Sequence, residues 1–217
     1  MTFRAYLRTL PVFAAAVSRP VAEPTEDPTV LFERWLVDAV DAGAVEPHAM
    51  TLSTVDGAGD PDARVLILKD LTAGVWWCAT NRDSPKAHQL TTRPAAALTF
   101  AWPAVGRSVR VRGEVVLGSA AQSSADFADR GERARKVAAV GRESQPLDSR
   151  EILEEALRAE TADTADAADT ADAADHWQVF GVRARHVEFW QADAGRAHHR
   201  LAYDRTGDGW VHGLLWP

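Results

Sequence analysis

Cationic and imidazole side chains supply most of the candidate chemistry in this 217-residue sequence. Arg64 and Lys69 bracket the apolar run Val65-Leu66-Ile67-Leu68, and Lys86 stands within Ser84-Pro85-Lys86-Ala87-His88-Gln89-Leu90. Arg196-Ala197-His198-His199-Arg200 gathers two guanidiniums and two imidazoles in one short segment. An arginine offers a bidentate fork and a lysine a point charge, and both suit a phosphate. Taken alone, Arg64 reads equally well as a surface charge on a strand; a structural surface role for His198 is the less favoured alternative. Cys78 is the one cysteine and lies in Val75-Trp76-Trp77-Cys78-Ala79. It reads as a small buried strand residue rather than a nucleophile. A lone cysteine makes no internal disulfide and no cysteine-based metal site, and no metal is expected.

Bulk properties narrow the field. The net charge of −7 argues against a general nucleic-acid binder, which needs clustered Lys and Arg for phosphates. Apolar residues make up 46% of the chain, enough for a real core. No apolar stretch reaches the roughly 18 residues needed to span a bilayer. Arg4 and Arg8 precede an apolar run at residues 10–17, but Pro11 interrupts it and no convincing cleavage site follows. A soluble, cytoplasmic protein with no membrane partner is expected.

Periodicity then places these residues on elements. Residues 1–26 read as an N-terminal arm whose prolines stop any long helix. Residues 27–217 read as one domain. It opens with a helix capped by Asp27, with Pro28 in the first turn and Gly43 beyond its end. Strands are expected at 50–55, 64–69, 74–80, 95–102 and 108–117, with a short helix at 84–90. Helices follow at 123–139 and 148–160. The acidic low-complexity run 161–175 has no large side chain to bury and reads as a loop or frayed helix. Three strands at 176–183, 186–190 and 200–205 follow, and the turn Thr206-Gly207-Asp208-Gly209 leads into a last one at 210–215. This pattern implies a mainly β (α+β) fold: a small barrel of antiparallel strands with flanking helices.

Several of these segments, in order, resemble the pyridoxamine 5′-phosphate oxidase family. They are 64–69, Ala79-Thr80-Asn81 with 84–90, Ser144-Gln145-Pro146-Leu147, Glu188-Phe189-Trp190-Gln191, 196–200 and the closing Leu215-Trp216-Pro217. The resemblance implies an FMN-binding split barrel, working as a homodimer with FMN at the subunit interface. It assigns FMN contacts to Arg64, Val65, Leu66, Ile67, Leu68, Lys69, Ala79, Thr80, Lys86, Ser108, Glu143, Ser144, Trp190 and Arg200. It assigns the substrate to Lys69, Arg130, Arg196 and His198, with Arg196 and His198 as the catalytic pair. It further implies hydride transfer from a phosphorylated pyridine to the flavin, followed by reoxidation with O2.

The sequence departs from the family mainly on the substrate side. Asp126 and Ala134 flank Arg130 where the family carries Tyr and Ser, and an aspartate near a dianionic phosphate is repulsive. Ser108 and Glu143 replace glutamines, and Pro85 replaces a basic residue. Two enzyme readings follow: oxidation of pyridoxamine or pyridoxine 5′-phosphate, or of another reduced ring such as a phenazine precursor. A flavin-binding protein without turnover is a third reading, disfavoured because such a protein needs none of Lys69, Arg196 and His198.

Overall fold

The alternation of buried and exposed residues along Ala49–Val55 sets the frame for the candidate cations. Met50, Leu52 and Thr54 of this strand, β1, are buried, and their neighbours are half-buried. In the computed structural model, which describes residues 1–10, 20–163 and 175–217, eight further strands extend the sheet. They are β2 (Pro61–Ile67), β3 (Asp70–Thr72), β4 (Val75–Asn81), β5 (Ala95–Trp102), β6 (Arg107–Leu117), β7 (Trp177–Gln191), β8 (His199–Thr206) and β9 (Gly209–Leu214). The strand order is β2-β1-β5-β6-β7-β4-β3, with β8 on β7 and β9 on β8. The pairings β1–β2, β3–β4, β4–β7, β7–β8 and β8–β9 are all antiparallel. Helices α1 (Phe3–Leu7), α2 (Pro28–Asp41), α3 (Pro85–Thr92), α4 (Ala120–Ala128), α5 (Glu132–Val140) and α6 (Arg150–Asp163) accompany them. This is the expected fold class.

The chain forms two compact units. The first contains Met1–His48, Thr99–Val111 and His186–Pro217; the second contains Ala49–Leu98 and Arg112–Arg185. In the first, Asp27 caps α2 by accepting from the Thr29 amide at 2.8 Å, as its position before Pro28 predicts. The apolar stripe Leu31, Phe32, Trp35 and Ala39 is buried. Phe32 meets Phe100 edge-on at 4.8 Å, and Trp35 meets Phe189 at 5.1 Å, the favoured geometry for aromatic quadrupoles. Arg107 is buried among them because Asp38, 2.5 Å away, balances its charge and Trp35 lies 4.3 Å beneath its guanidinium.

In the second unit, Ala79, Phe127, Ala138, Trp177 and Val179 form a buried cluster with Trp77 against it. Cys78 is buried as expected, and burial, followed by the Asp126 charge, pushes its thiol up to about 12. Two glycines allow close backbone approach. A Cβ on Gly113 would stand 2.0 Å from the Arg183 carbonyl oxygen, and one on Gly181 would stand 2.4 Å from a Val75 methyl.

Some boundaries differ from expectation, for local reasons. The strands expected at 176–183 and 186–190 are one, β7: Ala184 is buried, its N–H donates to the Gly74 carbonyl at 3.3 Å, and no turn intervenes. The helix expected at 123–139 is two, α4 and α5, with Gly131 starting the second. Its true start is the reciprocal capping box of Ser119 and Gln122. Lys69 lies just beyond β2, and β3 follows it. Of the acidic run 161–175, residues up to Asp163 continue α6, while 164–174 lie outside the described residues, as do 11–19 of the arm.

Gly113→Ala is expected to lower stability by about 3 kcal/mol, at the upper end of overpacking costs, because the obstructing atom is backbone. Urea denaturation of the two proteins measures the difference.

Candidate functional site

Arg64 points to the buried side of its strand pair. It lies opposite Leu52, so it shares the face of Leu52 and Thr54, both buried. A guanidinium there needs acceptors. It donates to Thr54 Oγ1 at 2.6 Å and Gln89 Oε1 at 3.1 Å, and pairs with Asp62 at 2.5 Å. Gln89 is itself fixed, because Thr54 Oγ1 donates to its Oε1 and its Nε2 donates to Asp62. Three elements, β1, β2 and α3, thus hold one arginine.

Lys86 stands on α3, one helical turn before Gln89, and is half-buried. Its Nζ donates to Thr80 Oγ1 at 3.0 Å. Burial holds its ammonium below the usual lysine value, and Arg64 presses it the same way, while Glu143 and Asp62 work against that shift. Arg64 and Lys86 therefore share one electrostatic neighbourhood. Glu143 answers from the chain after α5. Burial pushes its carboxyl up, Lys86 and Arg130 oppose this, and its Oε2 is buried without a hydrogen-bond partner. Ser144 beside it adopts a positive φ of 65°. Ala79 and Thr80 are buried, whereas Val65 is 66% exposed and Leu66, Ile67 and Leu68 are half-buried.

A second cluster in the same unit centres on Asp126. Its Oδ1 lies 3.3 Å from Lys69 Nζ, and its Oδ2 accepts from Trp177 Nε1 at 2.7 Å. The Arg130 guanidinium lies 4.2 Å over the Trp177 ring, and its Nε is buried without a hydrogen-bond partner.

Within the first unit, Trp190 stands 4.8 Å from the His198 ring. The Asp193 amide donates to His198 Nδ1 at 3.1 Å, which leaves the proton of a neutral ring on Nε2. Asp193 Oδ1 accepts from the Gly195 and Ala197 amides at 2.8 and 3.2 Å. The loop so tied holds Arg196 exposed at a φ of 63°, a conformation L-residues rarely adopt. Arg200 Nε donates to Glu188 at 2.8 Å, and Arg110 donates to the other oxygen of that carboxylate. Burial works to raise the Glu188 carboxyl, but the two arginines prevail and hold it below the usual value. The Ser108 hydroxyl donates to the Phe100 carbonyl at 2.8 Å.

The expected site residues thus fall into two groups. Arg64 to Lys69, Ala79, Thr80, Lys86, Arg130, Glu143 and Ser144 lie in the second unit; Ser108, Trp190, Arg196, His198 and Arg200 lie in the first. Thr54, Asp62, Gln89, Trp177 and Asp193 were not foreseen. Gln89 and Asp62 have local signals, a spacing of three from Lys86 on one helix and of two from Arg64 on one strand. The others join through strand register and loop closure, which short motifs do not encode.

The segment 36–164 matches the pyridoxamine 5′-phosphate oxidase family, and 177–217 matches the pyridoxine 5′-phosphate oxidase C-terminal dimerisation region. A pyridoxine/pyridoxamine 5′-phosphate oxidase of Hyphomonas neptunium is 37% identical over 206 residues, 94% of each chain. One from Gloeothece citriformis is 40% identical over 195 residues, 90% of this chain and 88% of its own. Among solved structures, PhzG from Burkholderia lata, in complex with tetrahydrophenazine-1-carboxylic acid, superposes with a TM-score of 0.77. It has 24% identity and covers 90% of this chain and 95% of its own. A pyridoxamine 5′-phosphate oxidase-related, FMN binding protein from Nostoc punctiforme gives a TM-score of 0.68 at 16% identity, covering 86% and 97%. The fold is the split barrel, and the molecule is a flavoprotein oxidoreductase. The chain belongs to the pyridoxamine 5′-phosphate oxidase family.

Because its arginines depress Glu188, that carboxylate stabilises the fold above its ordinary value near 4.5, and the contribution is lost as pH falls through the depressed value. Glu188→Gln is expected to cost about 2 kcal/mol at pH 7, with the deficit closing in acid below about pH 4.5. Thermal melts of both proteins across pH 3–7 measure it.

Proposed function

We propose that this chain is an FMN-dependent oxidase that works as a homodimer and uses O2 as electron acceptor. The observation that carries the proposal is the inward-facing Arg64 with Lys86 in its field, beside the Thr80 hydroxyl. Two part-buried cations and a hydroxyl suit a phosphate monoester, whose oxygens take charge-assisted hydrogen bonds. The depressed Lys86 ammonium fits as well, since an arriving anion relieves it. Strand β2 ends the sheet order and carries the exposed Val65, so its edge offers amides and apolar contact to a flat ring. Exposed Leu214 and Trp216 within the matched dimerisation region support a second subunit.

When bound, FMN would supply two-electron oxidation of a substrate carbon–hydrogen bond, with O2 as the final electron acceptor and hydrogen peroxide as its product. The chain's own residues bind and orient. Arg64 and Lys86, with the Thr80 hydroxyl beside them, would hold the cofactor phosphate, the backbone of Val65 to Leu68 would line the ring, and Ala79 and Ser144 would be further contacts. In the first unit, Trp190 and Arg200 are the cofactor contacts that the family resemblance suggests. Arg196 and His198 cover the substrate, with His198 held in one orientation by the Asp193 amide. Lys69 and Arg130 face the substrate's anionic end.

The substrate proposed first is pyridoxamine or pyridoxine 5′-phosphate. The curated relatives' activity supports it, as does the presence of Lys69, Arg130, Arg196 and His198. Another reduced ring, of the phenazine-precursor kind, is the second reading, and the Lys69–Asp126 ion pair favours it.

The purified protein is expected to bind FMN stoichiometrically, and anaerobic addition of pyridoxamine 5′-phosphate is expected to bleach the flavin. Arg64→Ala weakens FMN binding at least about tenfold, in line with loss of a charge-assisted contact, whereas Arg196→Ala spares binding and slows bleaching. A protein that does not quench FMN fluorescence defeats the proposal. The Lys86 ammonium, depressed in the free protein, is raised by a bound phosphate. FMN affinity is therefore full below the free-state value and declines as pH rises through it. Fluorescence titrations should place that decline below the ordinary lysine value of 10.5, and Lys86→Arg should move it upward.

A further inference from the structure

We propose that Asp126 sets the charge accepted at the anionic end of the substrate site, so that this end discriminates only weakly between a phosphate dianion and a monoanionic or uncharged group. The inference rests on the reading of Lys69 and Arg130 as substrate-facing residues. It names the residue that decides between the two substrates proposed above.

Asp126 is anchored on both oxygens, by Lys69 at 3.3 Å and by Trp177 Nε1 at 2.7 Å. Its side chain is 15% exposed, against 32% for Lys69. A carboxylate held twice does not swing aside at low cost when an anion arrives. The same carboxylate acts on Arg130, whose guanidinium is fixed over Trp177 and whose Nη2 reaches the Ala134 carbonyl at 3.4 Å. Asp126 thus draws on both cations that a substrate anion needs. Glu143 lies in the field of Arg130 as well.

Asp126 offsets one of the two cations, so Lys69 and Arg130 together present a single net positive charge to a dianion. A phosphate entering here gains Lys69 and Arg130 but meets Asp126 within a few ångströms of the lysine it must use. A monoanion meets half of that repulsion, and an uncharged hydroxymethyl group meets none. Such opposition by a fixed like charge is how sites reject a ligand they otherwise fit.

The alternative is that Asp126 serves only as the acceptor for Trp177. Asp126→Asn separates the two roles, because the amide keeps an oxygen for the indole and removes the charge. The FMN-loaded protein is titrated with pyridoxal 5′-phosphate and with pyridoxal, following flavin absorbance, and thermal melts check the fold. The variant is expected to bind the phosphorylated ring about tenfold more tightly and the unphosphorylated ring within twofold of the wild type. Turnover should follow, with the gain in KM and kcat little changed. Equal shifts for both rings, or none, with FMN still bound, overturn the inference while leaving the oxidase reading intact. Loss of FMN binding by the wild type, or no response to either ring in both proteins, overturns the underlying reading and the inference with it.

Discussion

A cation on the buried side of a strand pair governs the architecture of the candidate cofactor site. Arg64 faces the same side as Leu52 and Thr54, where an unpaired guanidinium would be costly. The chain meets that cost with acceptors from β1, β2 and α3. Those acceptors fix where α3 lies over the sheet, and α3 in turn carries Lys86. The second cation is therefore positioned by the demands of the first. Lys86 then brings Thr80 and Glu143 into the same field.

The first unit repeats this logic with the signs exchanged. Glu188 is a buried carboxylate, and Arg110 and Arg200 compensate it. Arg107, Asp38 and Trp35 form another compensated set beside the aromatic core. Each unit thus keeps charge inside by surrounding it, and each candidate residue so held loses freedom to turn away. Glu143 Oε2 and Arg130 Nε are exceptions, because neither has a hydrogen-bond partner among the described residues. Such a group costs stability unless something else meets it.

Much of this was legible in the sequence. The cap at Asp27, the apolar stripe of α2, the inert Cys78 and most strands follow from spacing and local chemistry alone. The ordered segments from Arg64 to Arg200 located the family. What stayed illegible depends on distance in sequence. Nothing near Arg64 announces Thr54 and Gln89, because β-register and helix packing bring them together. Asp126 was readable as a repulsive departure, but not as the partner of Lys69 and Trp177. The expected break within β7 falls where Arg183 and Arg185 are exposed on either side of a buried Ala184, so the alternation of a strand runs on through it.

The undivided β7 also bears on how the chain is made. Its first half pairs with β4 and its second half with β8, so residues 177–191 supply a strand to each unit. The first unit additionally joins the N-terminal helix α2 to the C-terminal hairpin of β8 and β9. During synthesis neither unit has all its strands until β7 has left the ribosome. Until then β4 waits with one edge unpaired, and Trp35 lacks the Phe189 ring that meets it at 5.1 Å. Pairings between such remote segments form slowly. The nascent chain therefore carries exposed apolar strands until β7 emerges, a window in which chaperones can bind.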